Sequence, residues 1–350
     1  MDPVLWEDME AVLHAEFVPW EYLKGKTVFV SGGTGLIGFH LANTVLHANK
    51  ARRLGLRLIL LVRNLEKAKW LYRDFLQEDG LHFFPGDVVS LPSVPGAVDY
   101  IVHGAGITDS RRMIEEPVET IWTTLQGTRN LLELAREKKV SGMVFLSSME
   151  AYGNQQSEKP LREDGDARLS PGNLRDCYPI SKAAAESLCL AYGKEYGVRA
   201  SCLRLSQTLG RMERRGGVRD RKIIQEILDD VREGKDIRLL TKGESKRTYL
   251  YIRDAVSAIL AVLLHGGEPG IFNAANEESY SSVYELCEMA AHELAHDKIK
   301  VVVEGKELPQ FPRTNFLNLS SEKLRELGWR PSVGLREMLE RMMGPGQHME

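Results

Sequence analysis

Thr27-Val28-Phe29-Val30-Ser31-Gly32-Gly33-Thr34-Gly35-Leu36-Ile37-Gly38 is the stretch on which the fold turns. Thr27 to Val30 reads as a short buried strand, and Leu36 to Ala48 has helical patterning, so the glycines between them form a strand-to-helix turn. Gly32, Gly35 and Gly38 are spaced GxxGxxG. Such glycines let the backbone turn tightly and approach a pyrophosphate, which then rests on the helix N-terminus. A purely structural turn is the competing reading. Position directly after the first strand favours dinucleotide binding, with Leu36 and Ile37 at the helix start as further contacts.

Working outward, the same alternation repeats. Residues 4–16 suggest a short N-terminal helix. Leu56 to Val62 is a second apolar strand, then come a helix over Leu65 to Gln77 and strands at Leu81 to Phe84 and Tyr100 to Val102. A long helix spans about Val118 to Lys138, a strand Met143 to Leu146, a helix Tyr178 to Tyr196 and a strand Ala200 to Leu205. Strands that are apolar throughout and alternate with helices predict an α/β fold, a doubly wound parallel sheet covered on both faces. Residues 153–176 break the pattern with Gly, Pro and charge, as a functional loop would. After residue 206 the chain is less regular, with a basic stretch from Arg211 to Lys222, which suits a smaller C-terminal α/β substrate lobe. The expected division is an N-terminal helical extension (1–24), a nucleotide-binding domain (25–205, with 248–268 packing back onto it) and a lobe from 206–247 and 269–345.

The bulk numbers exclude several classes. The chain has 350 residues, 43% hydrophobic and 27% charged, with net charge −3 and no basic stripe, so no nucleic-acid partner is expected. Cys177, Cys189, Cys202 and Cys287 are scattered without a CxxC pair, which argues against a zinc or disulfide framework. Met1 to Glu16 is acidic and unlike a signal peptide, and no apolar run is membrane-spanning in length. A cytoplasmic protein without membrane contact is expected.

Tyr178-Pro179-Ile180-Ser181-Lys182 places Lys182 one helical turn beyond Tyr178 on the same face. An ammonium there, beside an oxidised nicotinamide, is expected to lower the phenol pKa toward that of a general base, and Lys182 can also hold the nicotinamide ribose. Ser148, in Leu146-Ser147-Ser148-Met149-Glu150-Ala151-Tyr152-Gly153, ends a strand where α/β sheets bind ligands. It either assists Tyr178 or caps the strand. At the end of the second strand stand Arg63 and Asn64, where an acid for the ribose is common. Arg63 either accepts a 2′-phosphate, leaving NADP open beside NAD, or is an exposed arginine. After the third strand, Asp87, followed by Val88, either meets the adenine amino group or forms a turn.

Together, SGGTGLIG, SSMEAYG, YxxxK, the stretch Arg247 to Ala255 and Leu327-Gly328-Trp329-Arg330-Pro331 stand in family order over roughly residues 25–340. The chain resembles the extended short-chain dehydrogenase/reductases, the NAD-dependent epimerase/dehydratase family, which have a Rossmann-type sheet. The resemblance implies that Ser148, Tyr178 and Lys182 are catalytic, that the cofactor is NAD, that a nucleotide-diphosphate sugar is oxidised at C4, and that the chain forms a homodimer through helices near 118–138 and 178–196. Glu150 is similar to the glutamate of sugar dehydratases and UDP-glucuronate decarboxylases, where it can act as a C5 base. Met149 replaces the aspartate of the glucose 4,6-dehydratases. Lys246-Arg247 followed by Ile252-Arg253-Asp254 resembles the decarboxylases, so Arg247 is expected at a substrate carboxylate, or else at the diphosphate or ribose. Arg204, Arg211 and Arg313 are further candidates for the diphosphate. Decarboxylation is the favoured reaction, with dehydration or 4-epimerisation as alternatives.

One motif points elsewhere. His292-Glu293-Leu294-Ala295-His296 is a literal HExxH on a helix expected from Val283. No third histidine follows at the metzincin spacing, and Glu304 and Glu307 lie around a short strand, so no metal is expected.

Overall fold

The computed structural model describes residues 2–212, 223–265, 267–306 and 314–344. Six parallel strands appear in sequence: β1 (Thr27–Ser31), β2 (Arg57–Val62), β3 (Leu81–Pro85), β4 (Tyr100–His103), β5 (Gly142–Ser148) and β6 (Ala200–Leu205). The lobe carries β7 (Gln207–Leu209), β8 (Ile237–Leu239) and β9 (Lys246–Tyr251). The remaining strands are β10 (Ile271–Ala274), β11 (Asn276–Ser282), β12 (Val301–Val303) and β13 (Phe316–Leu317). The helices are α1 (Pro3–Leu13), α2 (Leu36–Arg52), α3 (Leu65–Leu71), α4 (Ser110–Glu115), α5 (Pro117–Lys138) and α6 (Cys177–Tyr196). They continue with α7 (Ile223–Arg232), α8 (Ile252–Leu264), α9 (Val283–Met289), α10 (Glu322–Glu326) and α11 (Leu335–Met343).

The main sheet has seven strands in the order β10-β6-β5-β4-β1-β2-β3, all parallel. The order reverses beside β1, which opens the crevice at the strands' carboxyl ends where ligands of such sheets bind. One face is covered by α5 and α6 through Leu131, Leu132, Ala185 and Cys189, and the other by α1, α2 and α8 through Met9, Leu41, Val45 and Ile259. Ile271–Ala274, assigned to the lobe by the sequence division, pairs with β6 and closes the main sheet.

The helix expected over Leu65 to Gln77 stops at Leu71 and gives way to a single 3-10 turn, Arg73–Phe75. Tyr72 lies between them, fully buried, with its hydroxyl directed under the glycine turn. Residues 153–176 have no helix longer than one 3-10 turn, though two isolated bridges, Gly153 to Arg168 and Leu161 to Leu319, pin the loop down. The late sequence motifs are structural anchors. The Trp329 indole N–H donates to the Asp254 carbonyl and the Ser257 hydroxyl, and the Asp254 carboxylate accepts from Ser332 and Val333. This fastens the chain beyond Trp329 onto α8. Among the described residues, no helix is long and apolar enough to cross a membrane.

Candidate active site

The glycine turn builds one wall of a cavity of ≈ 2730 Å³. Gly32 has φ +79°, and a Cβ there would lie 2.5 Å from the Gly104 carbonyl carbon, so only glycine fits. Gly38 leaves room for the Gly32 carbonyl on the helix side. Gly35 is the N-cap of α2 and provides no side-chain cap for the first N–H groups, and Leu36 and Ile37 line the cavity at the positive end of this 17-residue helix. The Tyr72 hydroxyl donates to the Gly33 carbonyl from below at 2.5 Å. No local sequence pattern marks Tyr72 for this role. Uncapped donors, absent side chains and an open cavity together fit a pyrophosphate.

At the rim, the Arg63 guanidinium lies 3.9 Å from the Asp87 carboxylate and is 75% exposed. The other Asp87 oxygen accepts from the Val89 N–H at 2.9 Å, as a turn-former does, and Asp87 also lines the cavity. Val88 is buried against Gly127 of α5.

Ser148 ends β5 and Tyr178 opens α6, and both line the cavity, with the Ser148 hydroxyl acting to lower the Tyr178 phenol pKa. The Ser148 oxygen also accepts from the Glu150 N–H at 3.2 Å, so assisting Tyr178 and capping the strand are compatible. Lys182 follows one turn on. Its Nζ donates to the Leu146 carbonyl at 2.7 Å and lies 4.5 Å from the Phe145 ring and 5.7 Å from the Tyr178 ring. Burial, and then the Glu150 carboxylate, hold the Tyr178 phenol above the usual tyrosine range. Burial also lowers Lys182 to about 8. The ammonium is directed to a carbonyl, and by itself does not make the phenol acidic.

Glu150 and Arg247 both line the cavity. Burial raises the Glu150 carboxyl, the Arg247 guanidinium opposes that, and Asp176 adds to it. The Arg247 Nε has no hydrogen-bond partner among the described residues. Met149 packs with Tyr152, Ala275, Leu317 and Leu319 in an apolar cluster. Arg211 lines the cavity but pairs with Asp2 at 3.4 Å. Arg204 is removed from the list of diphosphate contacts: it forms a buried pair with Glu186 at 2.7 Å. Arg313, residues 213–222 of the basic stretch and Glu307 lie outside the described residues.

The HExxH stretch does not form a metal site. The α-helix ends at Met289, residues 290–294 form a π-turn, and His296 has φ +51°, so the two histidines no longer share an α-helical face. His292 pairs with Asp297 at 3.0 Å and Glu293 with Arg336 at 2.9 Å. No group of three metal-ligating side chains occurs among the described residues.

The model of the NAD dependent epimerase/dehydratase family matches residues 28–275. UDP-glucuronic acid decarboxylase 6 of Arabidopsis thaliana is 28% identical over 317 residues, covering 90% of this chain and 87% of that protein. UDP-N-acetyl-alpha-D-glucosaminuronate decarboxylase of Bacillus cytotoxicus is 27% identical over 281 residues, covering 79% and 83%. Among solved structures, a dTDP-glucose 4,6-dehydratase of Bacillus anthracis in complex with NAD shares the fold with TM-score 0.72 at 21% identity, covering 91% of this chain and 95% of that one.

Proposed function

Because the chain belongs to the NAD dependent epimerase/dehydratase family, we propose that it is an NAD-dependent nucleotide-sugar enzyme that oxidises the sugar at C4 and decarboxylates a UDP-glucuronate-like substrate. The observation that carries the decarboxylase reading is Arg247. Its guanidinium is half-buried on the cavity wall near Tyr178 and Glu150, with an Nε that the described protein leaves unmatched. A sugar C6 carboxylate in the cavity is the kind of anion that this guanidinium suits bidentately.

Bound NAD would lie on the α2 N-terminus and supply the hydride acceptor that converts the C4 carbinol to a ketone. Tyr178 Oη takes the C4 hydroxyl proton, with the Ser148 hydroxyl orienting the same oxygen. The C5–C6 bond of the resulting 4-keto acid then breaks, carbon dioxide leaves, and the electron pair moves onto the C4 oxygen as an enolate. C5 then takes up a proton from solvent where carbon dioxide left, and the hydride returns to C4. Tyr178 gives its proton back to the C4 oxygen while Ser148 donates a hydrogen bond to the charge there. Glu150 lines the same cavity as Tyr178, and a carboxylate there, in the role of a C5 base, keeps 4,6-dehydration and 4-epimerisation as second readings. Met149, enclosed in its apolar cluster, offers no acid for a C6 hydroxyl and disfavours the glucose-type dehydration.

NAD is favoured over NADP because Asp87 faces Arg63 and would repel a 2′-phosphate. A homodimer through α5 and α6 is supported by exposed Val118, Trp122 and Leu190 on those helices. Four free, buried thiols suit a reducing cytoplasm. Incubation with UDP-glucuronate, dTDP-glucose and a panel of UDP-sugars, read by mass spectrometry, tests the reaction. Loss of carbon dioxide from UDP-glucuronate is expected. Loss of water, or a product of unchanged mass, overturns decarboxylation.

A further inference from the structure

Tyr178, Lys182 and Glu186 follow one another at four-residue intervals along one face of α6. Glu186 is buried, with its side chain 3% exposed. One carboxylate oxygen accepts from the Ser147 hydroxyl at 2.5 Å and from Arg204 Nε at 3.0 Å, and the other from Arg204 Nη2 at 2.7 Å. Ser147 and Arg204 are register partners on β5 and β6. Arg204 is fixed in turn, donating to the Glu163 carbonyl at 3.2 Å and lying 4.4 Å over the Tyr152 ring. One carboxylate thus ties α6 to the ends of two strands, one residue before Ser148.

A buried ion pair contributes little net stability, because well-packed apolar residues do as well. Its location points to another use. Lys182 is surrounded by Glu186 and Cys189 on its own helix, by Cys202 on β6, by the His103 imidazole at the end of β4, and by the Tyr178 ring. His103 is kept neutral by burial. Among the described residues, Glu186 is the carboxylate that acts on Lys182.

We propose that Glu186 is a positioning residue for the reaction, fixing Ser148 through Ser147 and holding the Lys182 ammonium charged in its buried place. This rests on the reading of Ser148, Tyr178 and Lys182 as the catalytic set. A merely structural Glu186 would change stability without changing the titration of Lys182.

The test is an NMR titration of the full chain labelled with 13Cε-lysine, the Lys182 resonance being identified by its loss in Lys182→Met. In Glu186→Gln the Lys182 midpoint is expected to fall by about one pH unit. The alkaline limb of kcat is expected to fall with it, and Glu186→Asp to recover most of the shift. Should Glu186→Gln fail to fold with Arg204 unpaired, Glu186→Gln combined with Arg204→Met removes both charges and is read in the same way. Ser147→Ala is expected to lower kcat about tenfold with the Lys182 midpoint unchanged. An unmoved midpoint in folded Glu186 variants overturns the proposal. A wild-type chain inactive on every sugar nucleotide overturns the functional reading instead, and the lysine titration still decides the role of Glu186.

Discussion

Arg247 and Glu150 line the same cavity, the guanidinium charge opposing the rise that burial gives the Glu150 carboxyl, and the Arg247 Nε has no hydrogen-bond partner among the described residues. A half-buried cation in a cavity is stabilised by an anionic ligand that hydrogen-bonds its accessible N–H groups. Arg247→Ala is therefore expected to cost about 1.5–3 kcal/mol of transition-state binding, roughly tenfold to a hundredfold in kcat/KM. The loss should be largest for a substrate bearing a C6 carboxylate. Comparing kcat/KM for UDP-glucuronate and UDP-glucose in both proteins checks this, and an equal loss for the two sugars contradicts it.

Tyr178 lines the cavity with Ser148 and is held above the usual tyrosine range by burial and by Glu150. Tyr178→Phe should lower kcat on the order of 10²–10⁴-fold. The hydroxyl is not needed to retain the dinucleotide, so NADH affinity by fluorescence titration should stay within a few-fold. Substantial residual turnover means that another group takes the C4 proton.

Tyr72 supports the glycine turn through the Gly33 carbonyl. Tyr72→Phe removes one buried hydrogen bond and should cost about 1 kcal/mol, seen as a lower Tm and weaker NADH binding. Gly32→Ala should be more severe, since its Cβ would enter the Gly104 backbone at a φ of +79°. A Gly32→Ala protein with unchanged Tm and NADH affinity would contradict the turn's role.

Stability should fall in acid. Burial lowers His40 to about 4 and His103 to about 3. Below pH ~6.5 the unfolded chain binds protons that the folded chain refuses. The stability contributed by these neutral imidazoles is present above pH ~6.5 and is lost as pH falls through that window, about 1.4 kcal/mol per pH unit for each. Asp8 has the opposite sign: burial raises it to about 6, so it favours the folded state at low pH and loses that contribution as pH rises through 6. Denaturant unfolding from pH 7 to 4 should show a net loss, steeper in Asp8→Asn, and a flat profile would contradict the burial of the two histidines.

Much of the nucleotide-binding half was legible in the sequence. Its strands are continuous apolar runs, its helices follow at regular spacing, and the glycines of residues 32–38 have local steric reasons to stand where they do. Ser148, Tyr178 and Lys182 could be named because each lies at a fixed offset from a strand end or along one helix. HExxH was the disfavoured zinc alternative, and its five letters do not reveal that the helix loosens at Ala290 and turns left-handed at His296. Relations between distant segments were decided only in three dimensions. Tyr72 lies under Gly33, β10 closes the main sheet from beyond residue 270, and Arg204 is taken by Glu186 and lost to any phosphate. Phenol acidity belongs to this second class. Helical spacing put an ammonium near Tyr178, but burial and the direction of each side chain set the charge balance, and these depend on packing that no local run of residues encodes.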